Sequence, residues 1–325
     1  MPIRKLPFLG MGPDTNSGDD IAGIVHSVGA NVYEFSAGDR VASFHEMMTS
    51  GGSFAEYAVG HAHTTFHIPK NVSFEEAATL PLAAMTAAIG LHKLTGMPEP
   101  WQPATSPCPL VVYGGASAVG AFVIKLAQRA NIHPIIAVAG RAAPFVETLI
   151  DRSKGDAIVD YRKGNDALVK DIKDALNGQK LHYAFDAISE HGSGANIAQV
   201  IEHQGGEITF VLPGSMDKIN PEDVQKQGTS GSNSERTWKH AMRKHEGVPE
   251  SVTQHVMSVG SSHGADADYA FIMFRYMARG LTQGWFSPHP YEVVPGGLDG
   301  VEKGLRDLQD GKASGVKYVF QVGQV

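Results

Sequence analysis

The clearest indication of the fold is the stretch Leu110-Val-Val-Tyr-Gly-Gly-Ala-Ser-Ala-Val-Gly-Ala-Phe-Val-Ile-Lys-Leu-Ala127. It reads as a short apolar strand, a glycine turn and an apolar helix, which is the unit that opens a parallel sheet covered by helices. Free backbone N–H groups and the positive end of a helix dipole meet at such a turn, and both favour a bound pyrophosphate. Gly114, Gly115 and Gly120 allow close backbone approach and tight packing of the helix on the strand. We therefore predict a dinucleotide site at residues 114–120.

The glycine motif itself is incomplete, so the prediction of a dinucleotide site also depends on the segments that follow the motif. Counting from Gly115, Ser117 stands where G-x-G-x-x-G has its middle glycine. The segments that follow alternate apolar strands with helices, which predicts an α/β fold with a doubly wound parallel sheet covered on both faces. The predicted strands lie in PLVVYGG, HPIIAVAG, AIVDY, HYAFDAI and EITFVLP. The first predicted helix ends at Ala130, and three further helices are predicted near 144–152, 166–176 and 193–202. The alternative to a dinucleotide site is a glycine turn that has only a packing role and binds no cofactor.

The end of the second strand indicates which dinucleotide is preferred. An acidic residue there would bind the ribose 2′-hydroxyl of NAD. The chain instead has Ala137-Val-Ala-Gly-Arg141, which contains no carboxylate. The guanidinium of Arg141 suits a 2′-phosphate, and Tyr161, which closes the third strand, is a second candidate donor. We expect NADPH as the cofactor; the alternative is that Arg141 is a solvated surface side chain.

The regions on either side of this central part follow other patterns. The first 70 residues predict short strands at 20–25, 40–44, 54–59 and 65–68, a β-rich pattern. Ser73 with Glu75 and Glu76 predicts a helix start, and a small-residue apolar helix follows Pro81. Beyond the central part we predict a polar insert at about 221–260, an amphipathic helix from about 267, a second helix within 298–311 and a final strand in VKYVFQV. The resulting divisions are 1–85, 86–265 and 266–325.

Composition excludes several classes of function. The 325 residues carry 27 Lys and Arg against 34 Asp and Glu, a net charge of −7, so neither nucleic acid nor an anionic membrane is an expected partner. Cys108 is the single cysteine, which excludes an internal disulfide and a zinc site built on several thiolates. The chain starts without a signal-peptide pattern, and its longest apolar stretch, 80–91, is too short to span a membrane. We expect a cytoplasmic protein.

Several segments resemble a known family. They are 18–25 with Val28-Gly29, 35–41, 52–57, 77–81 leading to Thr86-Ala87, the glycine turn, Asp186, Gly205-Gly206 and 311–317. Together they are similar to the medium-chain dehydrogenase/reductase superfamily, and within it to the zinc-independent quinone reductase and enoyl reductase branch. Residues 291–297 and the helix after them look like the fungal members, some of which are stand-alone enoyl reductases beside polyketide synthases. Such members have further strands before the segment matching 7–18, so we expect a shortened member.

The resemblance implies a GroES-like substrate domain, formed by the N-terminal part and a C-terminal return, and a central Rossmann cofactor domain. It places Thr86 beside the nicotinamide. Zinc-dependent relatives have a metal-binding His at the position of Asp19, so the resemblance implies no metal here. The cofactor-binding residues carried over or predicted are Thr86, Gly114, Gly115, Ala116, Ser117, Ala118, Val119, Gly120, Gly140, Arg141, Tyr161, Ile188, Leu212 and Pro213.

The chemistry that fits these features is hydride transfer from NADPH to a quinone or to an α,β-unsaturated carbonyl, such as an enone or enoyl thioester. Phe44, His45 and Tyr57 are candidates for the substrate pocket, and no catalytic residue is assigned, since a proton can come from solvent or a hydroxyl. The alternative is a catalytically inactive or regulatory NADPH-binding relative. A homodimer is expected.

Two further features have simpler interpretations. His61-Ala-His63 has no third ligand nearby in the sequence, which favours a surface or packing role over a metal site. Cys108 lies between two prolines without a neighbouring base, which argues against a catalytic thiol.

Overall fold

The computed structural model describes residues 16–214 and 244–323 of the chain. In chain order, the strands are β1 Asp20–Ile24, β2 Arg40–Phe44, β3 Thr65–His67, β4 Leu110–Tyr113, β5 Ile135–Ala139, β6 Ala157–Asp160, β7 Tyr183–Asp186, β8 Glu207–Phe210, β9 Thr253–Val256, β10 Tyr291–Val293 and β11 Lys317–Val319. The α-helices within these residues are α1 Phe74–Ala77, α2 Pro81–Ala88, α3 Ala118–Arg129, α4 Ala143–Glu147, α5 Asn165–Leu176, α6 Ser193–Ala198, α7 Ala267–Gln283 and α8 Val301–Gln309.

The described residues fall into two compact units. The first unit contains 16–85 and 259–323, and the second contains 86–214 and 244–258. The first division lies within α2, between Met85 and Thr86, and the second lies between Ser258 and Val259. The sequence pattern places these divisions after residues 85 and 265.

The second unit is built on a six-stranded sheet in the order β6-β5-β4-β7-β8-β9. Every neighbouring pair is parallel, which confirms the predicted doubly wound sheet. The chain adds β5 and β6 on one side of β4 and then crosses to β7 on the other side. The carboxyl end of β4 is therefore a topological switch point, where ligands of such sheets bind. The glycine turn begins at this point.

Apolar side chains bury this sheet on both faces. All four residues of β4 and all five of β5 are buried, and residues from β7, α5 and β8 complete the core. Strands covered on both faces lose the polar alternation of half-exposed strands. This is why short apolar runs in the sequence were sufficient to locate β4, β5, β7 and β8.

The sixth strand, β9, was not predicted. Thr253–Val256 lies within the segment 221–260, which was expected to be a polar insert. Its residues Thr-Gln-His-Val are partly exposed at the edge of the sheet, so no apolar run distinguishes them. The expectation of an insert is therefore wrong for its last residues, while residues 221–243 lie outside the described part of the chain.

The first unit contains an antiparallel sheet in the order β1-β2-β3 and a parallel pair of β10 with β11. The predicted helix start at Ser73 is confirmed by a capping box. The Ser73 hydroxyl accepts from the Glu76 N–H at 3.1 Å, and the Ser73 N–H donates to the Glu76 carboxylate at 2.8 Å. The predicted helix after residue 267 is α7, which ends at Gly284 in a left-handed conformation.

The predicted strand at 54–59 is wrong. Residues 54–57 form bends, although Phe54-Ala-Glu-Tyr-Ala-Val59 is mostly apolar, as a buried strand is. Local contacts hold them instead: Phe54 N–H donates to the Asn16 side chain at 3.2 Å, and Val59 N–H donates to the Gly51 carbonyl at 2.9 Å. Within the described residues, the β1-β2-β3 ladder does not extend to this segment.

The stretch Phe74–Leu94 is long and apolar enough to cross a membrane, judged by length and composition. Its 18-residue apolar window is 78% buried inside the folded chain. Helices that are apolar on all sides are found in protein cores as well as in membranes. The burial of this stretch favours a core helix.

The carboxyl group of Asp19, just before β1, is buried in the first unit. Its Oδ1 atom has no hydrogen-bond partner among the described residues. Burial raises the pKa of Asp19 from its ordinary value of 3.8 to about 7; the charge of Asp20 also raises it, and Lys317 acts in the opposite direction. The folded chain therefore binds this proton more tightly than the unfolded chain does.

We expect Asp19→Asn to remove a pH-dependent loss of stability. Because the pKa is raised by folding, the free energy of unfolding should fall as pH rises from about 4 to about 7. The variant should lack this fall and gain stability over the wild type by roughly 2–4 kcal/mol between those limits. Urea unfolding at pH 5 and pH 8 measures the free energy of unfolding of both proteins. Glu56→Gln, at an exposed position, is the control. Equal pH slopes for wild type and Asp19→Asn would contradict the assignment.

Candidate functional site

The glycine turn follows β4 directly and is pressed against the start of α3. The N–H groups of Gly114 and Gly115 both donate to the Val138 carbonyl, at 3.0 and 2.9 Å, which fastens the turn to β5. A Cβ atom on Gly120 would lie 2.2 Å from the Gly114 carbonyl oxygen. The turn and the first turn of the helix are thus as close as backbone atoms allow, so only glycine fits at position 120.

Ser117 explains how the turn works without a middle glycine. Its hydroxyl accepts from the Gly120 N–H at 3.0 Å, making Ser117 the N-cap of α3. The N–H groups of Ala116, Ala118 and Val119 donate to no acceptor among the described residues. Three partly exposed donors thus meet at the positive end of a 12-residue helix. This arrangement can hold the pyrophosphate of a dinucleotide.

A second contact joins the ends of β5 and β6. A Cβ atom on Gly140 would lie 2.6 Å from Cε1 of Tyr161, so the tyrosine ring packs directly on Gly140. The ring is about half exposed, and Arg141 is exposed. Nη2 of Arg162 forms an ion pair with Oδ2 of Asp160 at 2.6 Å, and this contact lowers the pKa of the Asp160 carboxyl to about 2. The carboxylate stays ionised, but the guanidinium beside it offsets its charge and weakens its repulsion of a phosphate at this edge of the sheet.

The structure also places the predicted residues that follow β7 and β8. Ile188 lies against the glycine turn, since a Cβ atom on Gly114 would be 2.6 Å from its Cγ1. Leu212 and Pro213 follow β8, the neighbour of β7 in the sheet. The Leu212 carbonyl accepts from Nε2 of His245 at 2.8 Å. His245 was missed by sequence reasoning because nothing in its local pattern separates it from a surface histidine.

Thr86 begins the second unit and is buried in α2. A π-helical stretch, Ile89–Leu94, follows directly. Gly90 in this stretch packs on Phe185, and its carbonyl accepts from the Thr209 hydroxyl at 3.0 Å. Such interruptions of an α-helix are frequent near functional sites. The role of Thr86 beside a nicotinamide stays a prediction.

The three candidates for a substrate pocket belong to the first unit. Phe44 is fully buried, and His45 is 2% exposed. Nδ1 of His45 donates to the Val59 carbonyl at 2.6 Å. Tyr57 is 69% exposed and meets the edge of His26, with ring centroids 5.1 Å apart. Their role in a pocket stays a prediction.

His61 and His63 pack with His263, with ring centroids 5.4 to 5.6 Å apart. His61 also contacts the Glu46 carboxylate at 2.9 Å. Burial lowers the pKa of His263 to about 4 and lowers that of His63, so both rings are neutral at neutral pH. Among residues 16–214 and 244–323, no group of three or more His, Cys, Asp or Glu side chains is arranged to hold a metal ion.

Cys108 lies just before β4. Burial raises the pKa of its thiol, so little of the nucleophilic thiolate is present at neutral pH. This environment is typical of an unreactive thiol.

Comparison with known proteins gives the family. Residues 2–70 match the alcohol dehydrogenase GroES-like domain. The chain is 40% identical over 295 residues to trans-enoyl reductase fsr4 of Gibberella fujikuroi, covering 90% of this chain and 79% of that protein. It is 31% identical over 329 residues to trans-enoyl reductase resD of Aspergillus sclerotiorum, covering 94% and 85%.

Solved structures share the fold. CurK enoyl reductase matches with a TM-score of 0.63 and 19% identity over 93% of this chain and 78% of that one. An NAD-dependent alcohol dehydrogenase matches with a TM-score of 0.66 and 20% identity, over 97% and 84%. The parallel sheet with its glycine turn, the GroES-like match and the 40% identity over 90% of this chain all indicate the same family. The chain belongs to the enoyl reductase branch of the medium-chain dehydrogenase/reductase superfamily.

Proposed function

We propose that this chain is an NADPH-dependent enoyl reductase that reduces the carbon–carbon double bond of an α,β-unsaturated carbonyl. The main support for a bound dinucleotide is the glycine turn. Three of its N–H groups, which have no acceptor among the described residues, meet at the start of α3. The names of the relatives, trans-enoyl reductases, support the substrate class. Arg141 and Tyr161, together with the lack of a carboxylate at residues 137–141, support NADPH over NADH.

In this proposal each part of the second unit has a defined task. The turn at 114–120 binds the pyrophosphate through its N–H groups and the helix dipole. Arg141 and the Tyr161 hydroxyl hold the 2′-phosphate, and Ile188 forms the apolar side of the site next to Gly114. When bound, NADPH would supply a hydride from its nicotinamide ring to the β-carbon of the substrate, and a proton from solvent or a hydroxyl would go to the α-carbon to give a saturated carbonyl compound.

The test measures binding and turnover separately. The purified chain is titrated with NADPH and with NADH by fluorescence, and NADPH oxidation is then followed with 2-enoyl pantetheine thioesters, simple enones and 1,4-quinones. We expect saturable NADPH binding, weaker NADH binding, and oxidation with the enoyl thioesters accompanied by the saturated product in mass spectra. Turnover with quinones alone would make quinone reduction the activity. Binding without turnover would indicate a regulatory relative, and a folded chain that binds neither cofactor would refute the proposal.

A further inference from the structure

Asp186 ends β7 with its carboxylate fully buried and accepting three hydrogen bonds. Its Oδ1 accepts from the N–H groups of Ile188, at 3.0 Å, and Ser189, at 2.8 Å. Its Oδ2 accepts from the Ser193 hydroxyl at 2.5 Å. Burial raises the pKa of Asp186, while the three donors act in the opposite direction. The Asp186 side chain thus holds the segment 187–193 close to the carboxyl end of β7.

Ser189 extends this network to the next strand. It has φ +58°, a left-handed conformation that is unfavourable for serine and has to be held by its surroundings. Its hydroxyl donates to the Asp186 carbonyl at 3.0 Å and accepts from the Val211 N–H at 2.9 Å. The turn after β7 and the first residue after β8 are therefore fastened to each other through Asp186 and Ser189.

The same turn contacts the candidate phosphate site. The N–H group of Ala187 donates to the Tyr113 carbonyl at 2.9 Å, just before the glycine turn. Ile188 then lies on Gly114, with 2.6 Å between its Cγ1 and the position of an added Cβ. Gly114 has φ +79°, so its position depends on neighbours that hold the turn in this conformation.

We propose that Asp186 is a positioning residue for the dinucleotide site. Its buried carboxylate holds Ile188 against Gly114 and so keeps the glycine turn in the shape that presents its N–H groups. This inference rests on the proposed function, because it assumes that the glycine turn binds a dinucleotide. Asp186 itself does not touch the cofactor, so its removal should weaken cofactor binding while leaving the rate at saturating cofactor nearly unchanged.

Asp156 provides a matched control within the same unit. Its carboxylate is equally buried and accepts from His133 Nδ1 at 2.8 Å, from the Ile135 N–H at 2.7 Å, from Gln128 at 2.8 Å and from the Asp151 N–H at 2.9 Å. It precedes β6 and bonds to the first residue of β5. It therefore lies at the amino ends of the parallel strands, at the opposite edge of the sheet from the glycine turn. Truncating it removes a comparable network without changing the neighbours of Gly114.

The experiment compares wild type, Asp186→Ala, Asp186→Asn and Asp156→Ala by thermal unfolding and by fluorescence titration with NADPH. Asp186→Ala is expected to raise the Kd by about tenfold or more, since three donors lose their acceptor and Ile188 is released. Asp156→Ala should lower the melting temperature but leave the Kd within about twofold, because distant sites act independently. Asp186→Asn should bind nearly as wild type does, since its amide oxygen still accepts the two N–H groups and its NH₂ can donate to Ser193.

For enoyl turnover, Asp186→Ala should raise the KM for NADPH and leave kcat nearly unchanged. An unchanged Kd in Asp186→Ala, or an equal rise in Kd for both alanine variants, would overturn the positioning role. If Asp186→Ala does not fold, Ser193→Ala removes one of the three donors and should still weaken NADPH binding, by about two- to fivefold; an unchanged Kd would then overturn the inference. A wild-type chain that binds neither NADPH nor NADH would refute the proposed function itself.

Discussion

Gly120→Ala is expected to abolish measurable NADPH binding. The added Cβ would lie 2.2 Å from the Gly114 carbonyl oxygen and 3.0 Å from Cα of Gly115. Both neighbours are backbone atoms that cannot rotate away, so α3 has to move off the strand or the glycine turn has to open. Either movement displaces the N–H groups of Ala118 and Val119 from the phosphate position. We expect a loss of affinity of about a hundredfold or more.

Two other glycines make this prediction specific. A Cβ on Gly115 would meet side-chain atoms, Ala137 Cβ at 3.1 Å and Ile124 Cδ1 at 3.2 Å, which can give by a few tenths of an ångström. Gly115→Ala should therefore weaken binding less than Gly120→Ala. Gly23→Ala adds the same methyl group where nothing lies within 4 Å and should leave binding unchanged. Fluorescence titration with parallel thermal unfolding measures all three, and wild-type affinity in a folded Gly120→Ala protein would contradict the site.

Arg141→Ala is expected to remove the preference for NADPH over NADH. A hydrogen bond between a guanidinium and a phosphate is charge-assisted, and its loss should cost about ten- to a hundredfold in NADPH affinity. NADH has no 2′-phosphate, so its affinity should hardly change. The ratio of the two Kd values, measured at one fixed salt concentration, isolates this effect from general weakening of the site.

Lys163→Ala is the matched control, because it removes one positive charge from the loop after β6. The Lys163 ammonium pairs with Asp171, at 2.8 Å, so its loss should leave the ratio of the two affinities closer to that of wild type. Tyr161→Phe separates the hydroxyl from the ring that packs on Gly140, and should weaken NADPH binding alone. Equal losses for NADPH and NADH in Arg141→Ala would refute the predicted contact with the 2′-phosphate.

Much of the second unit could be predicted because its central strands, β4, β5, β7 and β8, are buried on both faces. Val111, Ile136 and Phe210 belong to short apolar runs, and such runs are rare outside buried strands. β9 has no such run, because an edge strand needs backbone pairing with β8 but little apolar burial. The opposite error occurred at 54–59, where five of the six residues are apolar or aromatic but the backbone bonds locally to Asn16 and Gly51 instead of to a strand.

The local features of the site could be read from the sequence alone: the strand, the glycine turn and the helix at 110–127, and the absence of a carboxylate at residues 137–141. These depend on neighbours within a few residues, whose chemistry and spacing are visible along the chain. The three-dimensional structure was needed to find that Ile188 lies on Gly114, that Tyr161 lies on Gly140 and that Ser189 joins Asp186 to Val211. Such contacts join the ends of different strands, and their distances are set by how the strands pair and pack in the sheet, which no local spacing specifies.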